Sequence, residues 1–477
     1  MSMYFAHLVL FNGGPTGIIT TFPVFFLGVL MQTLVMAELA SMIPLSAGQF
    51  NWVAILSPPG ISNFLSYLTG WIVTIAWQAA CAAPTFICSN MIVALASYSN
   101  PDYDVKNWHA ALIFYAIIAL AVLVNTYLGR LFPSIESLAF LLHVVGFFIV
   151  LIVVVYLAPK TDPSTVFDNF INGGGFPTTA QSVLVWTQPL TSVSTQEGKK
   201  LSIDDRPPER AAEEIENATR VIPRAMIITV VLYFVMGYGI IIMVVFCMSV
   251  EEVLTSAYTF PVITVFGQVT KSQNGTVFLT SLIIIMFACG VFGLLATASR
   301  MLWAFAREDG VPFSAQVSKI ERRTCLPLVS IGTTTFISLI LGLIALGSEA
   351  TFNALSGLTV AGFYSAFIIS ATVWLWRRVT TPAENLPWGP FRLGKLGVPT
   401  ILAALVYSWV GLIFAFWPPI AAVTVETFNW SLVVYLGVIF LAIGWWFLRA
   451  RKTYTGPKTE ISSQQWMKLF ERTARVN

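Results

Sequence analysis

Ten stretches of this chain run for about 20 residues or more with almost no charge, the length at which a helix crosses a bilayer core. They are Ile18–Ile43, Phe64–Ala96, Ala110–Gly129, Ile135–Leu157, Ala225–Val250, Val277–Phe305, Leu328–Leu346, Phe352–Trp376, Val398–Trp417 and Trp430–Leu448. In lipid every backbone N–H and C=O must be satisfied within the protein, so such runs are helices. The longer ones must tilt or extend past the hydrocarbon. A soluble reading fails on charge: 10% of residues are charged, against about 25% in a soluble domain. The chain is therefore expected to be an all-α polytopic membrane protein, with residues 1–477 forming a single transmembrane domain. A net charge of +3, with no basic run interleaved with aromatics, excludes nucleic acid as a partner. The lipid bilayer is the partner that the composition requires.

Two weaker stretches remain. Met3–Phe11 is apolar but too short to cross. Thr178–Thr195 is long enough but carries Gln181, Gln188 and Pro189. The region Ser182–Met226 that contains most of it is where hydrophobicity collapses, charges cluster, and Pro189, Pro207 and Pro208 interrupt any helix. Charge bias decides whether the weak stretch crosses. If it does, only Lys106, Lys160 and Lys271 of the 26 Lys and Arg fall on one side of the membrane. The rest, with the tail from Arg449, then face the cytosol. Without that crossing every later loop inverts. The tripeptide Asn274-Gly275-Thr276, a glycosylation pattern, falls on the outer side in this arrangement. The opening MSMYFAHLVLF has no basic region of the kind that precedes a cleavable signal. Asn12-Gly13-Gly14-Pro15 and Asn172-Gly173-Gly174-Gly175 mark sharp turns where glycine tolerates positive φ. The basic tail 449–477 reads as a solvated end beside anionic headgroups.

Three motifs then carry a resemblance. Ala37-Glu38-Leu39-Ala40-Ser41-Met42-Ile43-Pro44, followed by Ala47-Gly48-Gln49-Phe50-Asn51-Trp52, is similar to the loop after the second span of amino-acid permeases. Glu213-Glu214-Ile215, with Asn217-Ala218-Thr219-Arg220-Val221-Ile222-Pro223-Arg224-Ala225-Met226, resembles their loop between the sixth and seventh spans. Ala298-Ser299-Arg300, with Ala304-Phe305-Ala306-Arg307-Glu308-Asp309-Gly310-Val311-Pro312, resembles the end of their eighth. The order matches the amino acid–polyamine–organocation superfamily. The run from Glu136 through His143-Val144-Val145-Gly146-Phe147, with Phe170-Ile171-Asn172-Gly173-Gly174-Gly175, is most similar to the fungal branch, which includes choline and 4-aminobutyrate permeases.

The resemblance implies a leucine-transporter-like fold: two inverted five-helix repeats, here about 1–157 and 178–376, then two accessory helices at 398–448. Substrate sits near the midplane, on the unwound parts of the first helix of each repeat. Both of those helices are expected to be incomplete. Only Met3–Phe11 represents the first. In the sixth, Ser194–Arg210 (STQEGKKLSIDDRPPER) stands where the family carries an unwound Gly- and Asp-containing stretch. Its charges place that insert in the cytosol, since each costs several kcal/mol in lipid.

Candidate functional residues follow. Trp77 and Gln78 lie midway along the third span, which lines the substrate site in the family fold; an aromatic ring there can receive an ammonium group by cation–π attraction, or simply pack on a neighbouring helix. Thr187, Gln188 and Thr191 are the polar residues of the weak span; they face a cavity or mark a stretch that inserts poorly. Glu136 and His143, seven apart, lie two turns apart on one helix face and suit a proton relay; alternatively Glu136 marks the cytosolic boundary and His143 packs against a polar neighbour. Gly290 and Gly293 suit close helix packing. Glu38, Glu213 and Glu214 read as helix-end and gating contacts to nearby arginines.

Cys81, Cys88, Cys247, Cys289 and Cys325 show no metal spacing and mostly sit in apolar runs. No metal or cofactor is expected. With no phosphate-binding loop, dinucleotide fingerprint, HExxH or nucleophile elbow, an enzyme or ATP-driven pump is not expected either. An intramembrane enzyme would rest on His143 and Glu136 alone. The leading reading is a secondary transporter of an amino acid or related amine, such as 4-aminobutyrate or choline, coupled to protons as the resemblance implies and multi-pass in the plasma membrane, with a vacuolar or other membrane as the alternative. The alternative is a truncated or mis-spliced, non-transporting paralogue acting as a scaffold or sensor.

Overall fold

Each of the ten apolar stretches forms a helix. The computed structural model describes residues 2–457 except 46–47, 130, 159–161, 179–216, 250–252, 254–259, 323, 325, 346–348, 419, 425–427 and 455. In order the helices are α1 (Ser2–Met42), α2 (Gln49–Leu56), α3 (Ser62–Ser99), α4 (Asn107–Thr126), α5 (Phe132–Leu157), α6 (Pro163–Phe167), α7 (Ala218–Cys247), α8 (Pro261–Thr270), α9 (Gln273–Arg307), α10 (Ser314–Val317), α11 (Leu328–Ala345), α12 (Glu349–Thr380), α13 (Gly397–Ala415) and α14 (Ser431–Trp445). Among the described residues nine helices are long and apolar enough to cross a membrane, and α11 is a shorter apolar helix. The chain is an integral, multi-pass membrane protein.

Burial separates posts from periphery. The apolar windows of α3 and α12 are 72% and 83% buried, whereas that of α5 is 17% buried. Small residues let the two posts meet: a Cβ on Gly362 of α12 would lie 2.7 Å from the Cβ of Ala76 on α3. This is the close backbone approach that helices need where lipid removes the hydrophobic drive to associate. Gly28 likewise leaves room on α1 for the ring of Tyr407 from α13.

The expected turn at Asn12–Pro15 is a break inside α1. Gly14 has φ 63° and ψ −172°, and Pro15 follows it. The freed backbone is satisfied by the second glycine-rich segment. Gly173 N donates to Phe11 O (2.7 Å), Gly174 N to Asn12 Oδ1 (2.8 Å), and Thr16 Oγ1 to Phe167 O (2.8 Å). Gly175, at φ 68°, completes the turn. Two punctuation marks far apart in sequence form one clasp.

The Asn12 end of α1 is called the outer face and the Glu38 end the inner face, following the charge bias. Lys106, at the start of α4, and Lys271, just before α9, lie on the outer face, where Gln273 Nε2 donates to Ser99 O at the end of α3. Arg220, Arg307, Arg378, Arg392, Lys395 and Arg451 lie on the inner face, with the start of α7 and the ends of α9, α12 and α14. The weak span Thr178–Thr195, beyond Thr178 itself, and the insert 194–210 lie outside the described residues. The placement of their neighbours bears on topology. Gly174 sits at the outer clasp, while Thr219 O accepts from Ser41 Oγ (2.8 Å) on the inner face. In an otherwise cysteine-free chain, Asp168→Cys is expected to react with an impermeant maleimide on intact cells, and Arg220→Cys only after permeabilisation. Labelling of both from the same side would overturn this topology.

Candidate functional site

The inner ends of α1 and α12 are joined by a buried ion pair. Arg378 Nη1 donates to Glu38 Oε2 at 2.7 Å, and both side chains are at least nine-tenths buried. Trp374 Nε1 donates to the same oxygen (3.1 Å), and Leu393 N donates to Oε1 (2.8 Å). Arg378 Nη2 reaches Gly394 O (2.5 Å), and its guanidinium lies over Trp374 and Trp388 at 5.7 and 5.0 Å. A buried pair holds only when its remaining lone pairs and N–H groups are also satisfied, as they are here. Ser41, one turn after Glu38, donates to Thr219 O and accepts from Phe391 N (3.0 Å). It ties α1 to the start of α7 and to the loop before α13. The expected helix-end contact of Glu38 with an arginine is therefore present, and Arg378 is its partner. Sequence alone did not select it among the inner-face arginines; its spacing from Trp374, one helical turn, was the available signal. Glu213 and Glu214 lie outside the described residues.

A second inner-face cluster was not anticipated. Tyr454, just past the last span, is buried among Phe50, Tyr67 and Phe305. Its hydroxyl lies 2.7 Å from Ser66 Oγ and 3.4 Å from Glu308 Oε2. Burial, then the neighbouring Glu308 carboxylate, pushes its phenol well above the ordinary range, so it stays a neutral donor.

In the middle of the bundle, Trp77 is buried with its ring edge-on to Phe363 of α12, centroids 5.1 Å apart. The neighbouring Gln78 turns to another side. Its Nε2 donates to Thr334 Oγ1 on α11 (3.2 Å) and to Ala298 O on α9 (3.4 Å). Ser330 Oγ donates to Ser299 O (2.6 Å), extending this polar seam between α9 and α11. Trp77 and Gln78, adjacent in sequence, thus pack against different helices. Thr187, Gln188 and Thr191 lie outside the described residues.

Between α1 and α7 lies a narrow aromatic cleft. Phe22, Phe25 and Phe26 line one wall, and Tyr233 and Phe234 the other. The rings of Phe26 and Phe234 stack at 3.9 Å, and those of Phe22 and Tyr238 at 5.8 Å. The sequence offered these aromatics as ordinary span residues; only the α1–α7 pairing makes a wall of them.

The two ionisable residues of α5 diverge. Glu136 is half-buried against α9, where a Cβ on Gly293 would lie 2.7 Å from its Oε1. His143 is exposed on the outer surface of the bundle. Gly293 is a close-packing position, as expected, and what it admits is the carboxylate. Among the described residues no three His, Cys, Asp or Glu side chains cluster to hold a metal.

An ion pair at the inner end, a polar seam and an aromatic cleft are what the described residues bring together. A model of the amino acid permease family matches residues 2–440. A protein of Macrophomina phaseolina, provisionally named an amino acid/polyamine transporter, is 29% identical over 83% of this chain and 86% of its own. The choline transporter of Saccharomyces cerevisiae is 27% identical over 88% and 72%. The amino-acid permease BAT1 of Arabidopsis thaliana is 25% identical over 90% and 84%. With nine membrane-crossing helices among its described residues and a family match over residues 2–440, this chain belongs to the amino acid permease family of membrane transporters, not to an enzyme family.

Proposed function

We propose that this chain is a secondary active transporter that carries an amino acid or related amine, such as 4-aminobutyrate or choline, by alternating access and coupled to protons. The observation that carries the reading is the family match over residues 2–440, which supports transport of amino acids or amines. The choline transporter among its relatives favours a cationic amine. The buried Glu38–Arg378 pair suits an inner gate, shut in this conformation. Trp77 offers the ring that an ammonium group needs, and Gln78, Thr187, Gln188 and Thr191 supply polar contacts along the path. Rocking of one repeat against the other would expose the site to each face in turn.

Uptake of labelled choline, 4-aminobutyrate and amino acids in a permease-deficient host tests this. Saturable uptake that collapses with the proton gradient is expected. A surface-delivered chain that moves none of these substrates would instead support a non-transporting paralogue. For the proton path we assign Glu136, held against α9, with His143 two turns away as its relay partner. His143→Ala is expected to shift the pH profile of uptake, and Glu136→Gln to abolish its proton dependence. An unchanged profile in His143→Ala removes histidine from the path.

A further inference from the structure

On the inner face, Ser41 brings together two segments about 170 residues apart. Its Oγ donates to Thr219 O at the start of α7 and accepts from Phe391 N in the loop before α13. Arg220 follows Thr219 directly, and Arg392 follows Phe391. Both are exposed, as are Arg224 one turn along α7 and Lys395 three residues along the loop. Four exposed cations therefore belong to the two segments that meet at Ser41. Arg392 is held: its guanidinium stacks over Trp388 at 4.2 Å. Two helices, α7 and α13, begin here, so the positive ends of their dipoles add to the field. Among the described carboxylates, Glu38 is buried and committed to Arg378, and Glu384 is exposed in the same loop.

The patch is also greasy. Leu396 is 70%, Val379 69% and Val221 46% exposed, each within a few residues of a basic side chain. These residues sit where the candidate spans of α7, α12 and α13 begin or end, which is where headgroups meet a spanning helix. An apolar rim beside a cationic patch at that depth matches an amphiphile, with acyl chain against the rim and anionic headgroup on the cations. A free phosphate would have no use for the rim.

We infer that the surface formed by Arg220, Arg224, Arg392 and Lys395 binds the headgroup of an anionic phospholipid of the inner leaflet. The lipid joins the start of α7 to the α12–α13 loop, across the junction that Ser41 bridges. The inference does not depend on what the chain transports.

The test uses the full chain in a mild detergent with fluorescent phosphatidylserine as the probe. Binding is expected to weaken about fivefold for each cation removed, in Lys395→Gln and, further, in Arg220→Gln with Arg392→Gln. It should also weaken with salt, as exposed charges are screened. Arg220→Lys with Arg392→Lys should bind as the parent does. Lys106→Gln with Lys271→Gln, on the outer face, should leave binding unchanged. Millimolar inorganic phosphate should fail to displace the lipid. The proposal is overturned if inorganic phosphate competes, if the outer-face pair weakens binding equally, or if Lys395→Gln, which carries no packing role, binds the lipid as tightly as the parent.

Discussion

Glu38→Ala is expected to lower stability by about 3–5 kcal/mol, the cost of removing one partner of a buried pair. The loss is not the attraction between the charges but the arginine left behind. Arg378 would remain buried with a net charge, keeping Gly394 O and the faces of Trp374 and Trp388 but no counter-ion. Trp374 Nε1 and Leu393 N would lose their acceptor as well. Glu38→Gln keeps an oxygen for one of these donors and should fall between the parent and the alanine variant. The diagnostic is the double variant Glu38→Ala with Arg378→Met, which should be more stable than Glu38→Ala alone because the orphaned charge is gone. The apparent midpoint of thermal unfolding of the detergent-solubilised chain, read at one scan rate, gives the order. If the double variant melts below the single one, the pair does not act as a buried charge couple.

The second large effect is expected at the outer clasp. Gly14→Ala places a side chain at φ 63°, ψ −172°, a region open essentially to glycine alone and worth about 1–3 kcal/mol of backbone strain. It also drives the new Cβ into Asn169 O and to within 2.9 Å of Ile171 N. Both are backbone atoms of a segment already fixed by Gly173, Gly174 and Thr16, so neither can swing aside. The expected outcome is a sharp fall in folded, monodisperse protein. Gly332→Ala is the control: a Cβ there meets nothing within 4 Å, and alanine suits a helix interior better than glycine, so its yield should match or exceed the parent's. Equal yields for the two variants would mean that the clasp does not hold the outer end of α1.

Much of the fold was legible because lipid simplifies the problem. A run of apolar residues has one way to satisfy its backbone, so the ten apolar stretches could be read as helices from composition alone, although α1 begins at Ser2, well before Ile18, because Met3–Phe11 joins it across the break at Gly14. The outer clasp was foreshadowed by its two glycine-rich quartets. The site was less legible. Trp77 and Gln78 are neighbours in sequence, yet a helix points neighbours about 100° apart, and here one faces α12 and the other α9 and α11. Glu136 and His143 share a helix face by spacing, but α9 covers only the first of them. Periodicity gives the direction of a side chain relative to its own helix and says nothing about which helix stands opposite.

The sequence by itself determined the solvent, most of the apolar helices and the family, since each depends on local composition or on short ordered motifs. Only the tertiary structure decided that Arg378, among many inner-face cations, neutralises Glu38, that five aromatic rings of α1 and α7 line one cleft, and that Ser41 joins the segments carrying Arg220 and Arg392. Those pairings join residues up to 350 positions apart. They are set by which helices lie side by side, and in a bilayer that choice rests on small residues, shape and a few buried polar contacts rather than on any pattern within one helix.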